Sequence, residues 1–216
     1  MYDIIIFDLD GTLTDSEVGI VRSIQFALSH FGIQEEASAI KRFLGPPLYD
    51  TLRTHYGLND KDAHLCIEKY RERFVPIGMF ENAPYPGIIE LLQNLRSRGA
   101  LLGVATMKPT IYSREILEHF EMAQYFDVIS GDALDSSLSR EGKNGIIRYA
   151  LDTLDPERTK SAVMIGDRDQ DINGANAKNI PSIGLLYGYG SRGELESAGA
   201  TMMVESVEAL SEYLLK

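Results

Sequence analysis

The sequence predicts an α/β protein: a doubly wound parallel sheet carrying one small α-helical insertion. Three observations predict it. Short apolar runs recur with no polar alternation, the pattern of strands buried on both faces. Helical periodicities separate those runs, so strand and helix alternate along the chain. From about residue 17 to residue 82, only helical periodicities occur.

The first predicted strand is 4–7, IIIF, which runs straight into Asp8. The insertion then reads as four helices. Ile20, Ile24, Ala27, Leu28 and Phe31 share one face and stop at Gly32, and shorter patterns cover 39–44, 48–56 and 61–74. Alternation resumes with a helix over 86–99. Pro86 suits its first turn, Ile88, Leu91, Leu92 and Leu95 form its face, and Gly99 ends it. Strands follow at 100–106, 126–130, 161–166 and 181–186, with helices at 110–120, 144–154, 169–179 and 207–215. The predicted domains are an α/β core of residues 1–15 and 83–216, and a helical cap of residues 16–82 placed over the carboxyl end of the sheet.

Composition narrows the function. The 216 residues suffice for one core plus an accessory domain, and 44% hydrophobic with 25% charged residues is ordinary for a globular protein. A net charge of −11 argues against non-specific nucleic-acid or anionic-membrane partners, while leaving room for a local basic pocket. The single cysteine, Cys66, lies between Leu65 and Ile67 and reads as a buried structural thiol. No basic leader and no apolar run of about 18 residues is present, so a cytoplasmic protein is expected. Repeats and low-complexity tracts are absent from the sequence.

Ligands of open α/β sheets bind beyond the carboxyl ends of the strands. There the first strand delivers Asp8 and Asp10, the second Thr106 within ATMKP, and the fourth Asp167 and Asp171 within GDRDQD; Lys143 opens a helix in SREGKNG. Alternate residues of a strand point to one side, about 7 Å apart, where two like charges repel by roughly 2 kcal/mol at an effective dielectric near 20. A divalent cation relieves that repulsion, and an all-oxygen set without His or Cys suits Mg²⁺. A lysine at a helix N-terminus opposes the macrodipole, and a bound anion would offset it. Lys143, the Thr106 hydroxyl and backbone N–H groups after the strands, that of Met107 among them, would hold a phosphate. A phosphoryl group between Mg²⁺ and lysine, facing a carboxylate, can be taken up as an aspartyl-phosphate and released to water.

FDLDGT, ATMKP, Lys143 and GDRDQD, in that order, resemble the four motifs of the haloacid dehalogenase superfamily, phosphatase branch. That resemblance implies a Rossmann-like core, Asp8 as nucleophile and Asp10 as general acid/base. It implies phosphate binding by Thr106 and Lys143, and Mg²⁺ held by Asp8, the Asp10 carbonyl and Asp167, with Asp171 in support. The helical insertion resembles the superfamily's mobile cap. RFLGPPLYD and LLYGYGSRGELESAGA look most like phosphoglycolate-phosphatase-type members, a branch that includes pyrophosphatases and nucleotidases. One departure is Lys143-Asn144 where Lys-Pro is common, which leaves Arg140 as a second candidate for the basic role.

The expected function is therefore Mg²⁺-dependent hydrolysis of small phosphorylated metabolites by a monomer or homodimer. Its rivals are a sugar phosphomutase, a pyrophosphatase, a dehalogenase and a phospho-acceptor protein. In the cap, Gly45, Pro46 and Pro47 form either a helix breaker or a loop that reads the leaving group, with Arg42 meeting a second anionic group. Lys108 reads either as an exposed lysine before Pro109 or as a further substrate contact. His30, His55, His64 and His119 lack ligand spacing and read as structural or surface residues.

Overall fold

A computed structural model describes residues 2–134 and 142–216 of the protein. It divides the chain into two compact units, one of Met1–Thr14 with Pro84–Lys216 and one of Asp15–Ala83.

The first unit is built on a six-stranded sheet. Its strands are β1 (Ile4–Phe7), β4 (Leu101–Pro109), β5 (Val128–Asp132), β6 (Ala162–Gly166), β7 (Ser182–Leu185) and β8 (Met202–Val204), in the order β5-β4-β1-β6-β7-β8. Every pairing is parallel; Ile4 faces Leu101 on one side and Ala162 on the other. All four residues of β1 have no exposed surface, which is why the strand reads as an unbroken apolar run. The remaining strands β2 (Thr14–Asp15) and β3 (Ala83–Pro84) pair with each other where the chain passes between units.

Helices α5 (Ile88–Ser97), α6 (Thr110–His119), α7 (Lys143–Leu154), α8 (Asp169–Asn176), α9 (Arg192–Ser197) and α10 (Val207–Leu214) complete this unit. On α7, Ile146, Ile147, Ala150 and Leu151 meet Ile4, Ile6 and Met164 in one buried cluster. That packing sets the first turn of α7 beside the carboxyl ends of β1 and β6.

The second unit contains α1 (Glu17–Ser29), α2 (Ala37–Lys41), α3 (Leu48–Thr54) and α4 (Asp60–Phe74). The Asn59 side chain caps α4 by accepting the Asp62 N–H at 2.9 Å. Arg73 grips Glu81 with two hydrogen bonds, at 2.9 and 3.1 Å, and Cys66 is buried.

Among the described strands and α-helices, β2, β3, β8 and α9 lie outside the predicted set. Two, two, three and six residues are too short to display a period, and the sheet neighbour β7 defines β8. Strand β4 also runs three residues beyond the predicted 100–106, to Pro109. Among the described residues no helix is long and apolar enough to cross a membrane.

Candidate active site

Three strand ends supply the site. Asp8 follows β1 directly, its N–H donating to the Ile165 carbonyl at 2.9 Å, and Asp167 follows β6. Asp171 stands in the first turn of α8, where its Oδ2 accepts the Arg168 N–H at 3.1 Å. Asp8, Asp167 and Asp171 are all buried, and one carboxylate oxygen from each lies within 4.8 Å of the others.

Lys143, the first residue of α7, reaches into this group. Its Nζ is 2.8 Å from Asp8 Oδ1 and 2.7 Å from Asp171 Oδ1. The sequence left its charge to be offset by a bound anion. The two buried aspartates pair with that charge, because packing of α7 aims the side chain at them. Burial, which alone would lower the ammonium pKa, is outweighed by Asp171 and Asp8, and the net shift is upward. Arg140, the alternative basic residue, lies outside the described residues.

The acids carry the opposite strain. Burial pushes Asp8 up to about 6, with Lys143 pulling it down and the Asp171 and Asp10 charges adding to the rise. Burial and the charges of Asp171 and Asp8 raise Asp167 well above the usual carboxylate range. Its oxygens are held nonetheless: Oδ1 accepts the Thr12 hydroxyl at 3.0 Å and Oδ2 the Tyr189 N–H at 2.8 Å. Gly11, at φ +77°, passes so close that a Cβ there would stand 2.3 Å from Asp167 Oδ2.

Three carboxylates and one ammonium leave a formal charge of −2 on buried groups. Asp8 Oδ1 and Asp171 Oδ1 receive no well-directed hydrogen bond, although both sit at ion-pair distance from Lys143. A hard divalent cation fits this donor set in charge and in ligand type.

Asp10 lies one turn further along. Its Oδ1 accepts from Lys108 Nζ at 2.9 Å, and the lysine side chain is only 6% exposed. The reading of Lys108 as an exposed lysine is corrected: pairing of β4 with β5 breaks register between Ala105 and Pro109, and this irregularity turns Lys108 inward. Within the same irregularity Thr106 is buried and its hydroxyl accepts the Lys108 N–H at 3.3 Å, while Met107 is half-buried against the core. Asp8, Asp10, Thr106, Lys108, Lys143, Asp167 and Asp171 thus belong to one unit.

Arg42, Gly45 and Pro46 belong to the helical unit, between α2 and α3. Arg42 bonds the His55 ring at 3.1 Å and lies 4.7 Å over Phe43, and Gly45 has φ +106°. Thr12 and Tyr189 were not singled out from the sequence. The glycine-rich LLYGYGSRG around Tyr189 was the available signal of a close approach.

Comparison with known proteins places the chain in a family. The haloacid dehalogenase-like hydrolase family model matches residues 5–185. A 5'-nucleotidase of Pseudomonas aeruginosa is 41% identical, covering 99% of this chain and 96% of its own. Tyrosine-protein kinase PtkA of Mycobacterium tuberculosis is 38% identical over 98% of this chain and 72% of its own. A phosphoglycolate phosphatase of Rhodospirillum rubrum is 31% identical over 97% and 90%. The crystal structure of a predicted phosphatase from Clostridium acetobutylicum superposes with a TM-score of 0.92 at 46% identity, covering 100% of this chain and 99% of that one. The chain belongs to the haloacid dehalogenase-like hydrolase family, as one of its phosphatases.

Proposed function

We propose that this phosphatase is Mg²⁺-dependent and hydrolyses small phosphomonoesters, nucleoside 5'-monophosphates first among them, through an aspartyl-phosphate on Asp8. The observation that carries the reading is the buried Asp8, Asp167 and Asp171 trio with Lys143 between Asp8 and Asp171. The preference for nucleotides rests on the 5'-nucleotidase relative, and phosphoglycolate stands next.

Asp8, Asp167, Asp171 and the Asp10 main-chain carbonyl would hold Mg²⁺. When bound, the ion screens the clustered carboxylates from one another and from an incoming phosphoryl group. Asp8 attacks phosphorus and the P–O bond to the leaving group breaks. Asp10 protonates that departing oxygen, then takes a proton from the water that cleaves the aspartyl-phosphate. Thr106, the Met107 N–H and Lys143 bind the phosphoryl oxygens, and Lys108 steadies Asp10. The helical unit is the proposed cap, with Arg42, Gly45 and Pro46 selecting the leaving group.

Release of inorganic phosphate from nucleoside monophosphates, phosphoglycolate, pyrophosphate and hexose phosphates, each with Mg²⁺ or EDTA, tests this reading. Metal-dependent release concentrated on nucleoside monophosphates supports it; phosphate retained on a hexose phosphate points to a phosphomutase. The kinase relative gives a second reading, transfer from a nucleoside triphosphate to tyrosine. Phosphotyrosine formed from ATP on a peptide would favour it.

A further inference from the structure

The geometry points to Tyr187 as a positioning residue that fixes Asp167 and thereby sets the affinity of the site for its divalent cation. This inference rests on the metal site proposed above and extends it to the loop that follows β7.

Asp167 is clamped from two sides by segments far apart in sequence. Thr12, from the turn after β1, donates its hydroxyl to Oδ1, and Tyr189, from the loop after β7, donates its N–H to Oδ2. Tyr187 ties these two segments together. Its hydroxyl donates to the Thr12 carbonyl at 3.1 Å, and its ring meets Tyr85 edge-on, with centroids 4.8 Å apart. The loop is also held in close: a Cβ at Gly188 would stand 2.3 Å from Asp167 Cβ and 2.4 Å from the Gly11 carbonyl.

The arrangement matters because an acid buried beside two others would otherwise rotate to relieve repulsion. Two donors on opposite oxygens hold the carboxylate plane in the cluster before any cation arrives. Hydrogen-bond partners behind a metal ligand commonly control affinity by 10–100-fold. The tyrosine hydroxyl is one step further out, acting on the carbonyl of the residue that bonds the ligand. Its removal belongs at the lower end of that range.

Calorimetric titration of Mg²⁺ into the metal-free wild type, Tyr187→Phe and Gly188→Ala tests this. Tyr187→Phe removes one oxygen and keeps the ring against Tyr85; its Mg²⁺ Kd should rise about tenfold. Gly188→Ala, which drives the loop off Asp167, should weaken binding further, toward about 100-fold. A partly unfolded variant would also show a raised apparent Kd, so circular dichroism must show each metal-free variant fully folded at the titration temperature. Wild-type Kd in Tyr187→Phe would overturn the positioning role while leaving the metal site intact. No Mg²⁺ binding by the wild type would overturn the metal site, and the inference with it.

Discussion

Lys108 and Asp10 form an ion pair of 2.9 Å across the top of the sheet, between side chains only 6% and 14% exposed. The pair holds the proposed general acid/base in one orientation. Lys108→Met should lower kcat about tenfold, the worth of one charge-assisted contact, and Lys108→Arg should restore part of it. Steady-state kinetics of both variants on one substrate checks this.

Asp10 itself should matter more. Asp10→Asn keeps the shape and loses proton transfer, so turnover should fall by about 10²–10⁴-fold. Borohydride quenching during turnover reduces an acyl phosphate to the alcohol, and peptide mass spectrometry should find homoserine at position 8. Homoserine should accumulate more in Asp10→Asn if release to water becomes the slower step.

In the metal-free protein the acid cluster should contribute most stability in acid. Burial raises Asp8 to about 6 in the folded state from an ordinary value of 3.8, and raises Asp167 as well. The Asp8 contribution, on the order of 3 kcal/mol, is fully present below about pH 4 and is lost as pH rises through about 6. Thermal melts in EDTA should fall across that window, and Mg²⁺ should remove the fall, since the cation takes the place of the protons.

Lys143→Met should act in the same direction. It leaves Asp8 and Asp171 without the ammonium between them, and should destabilise the metal-free protein by about 3 kcal/mol at neutral pH. Urea unfolding with and without Mg²⁺ should show a smaller deficit when the cation is present.

Much of the site was legible because each residue follows a strand or opens a helix. Asp8, Asp10 and Asp167 follow strands, Thr106 lies in the carboxyl half of β4, and Asp171 and Lys143 stand in the first turns of α8 and α7, so alternating periodicity gathers them on one rim. The partners of those residues were not legible. Thr12 meets Asp167 across 155 positions, and Lys108 meets Asp10 across 98, contacts that depend on sheet order and on the register break in β4. Strand β8 escaped because three residues carry no period.

Phosphate release by wild type and Asp8→Asn, each with Mg²⁺ or EDTA, tests the central claim most directly. The account predicts release by the wild type with Mg²⁺ alone, and none by a folded Asp8→Asn under either condition. Release by Asp8→Asn at the wild-type rate, or full wild-type release in EDTA, would contradict it.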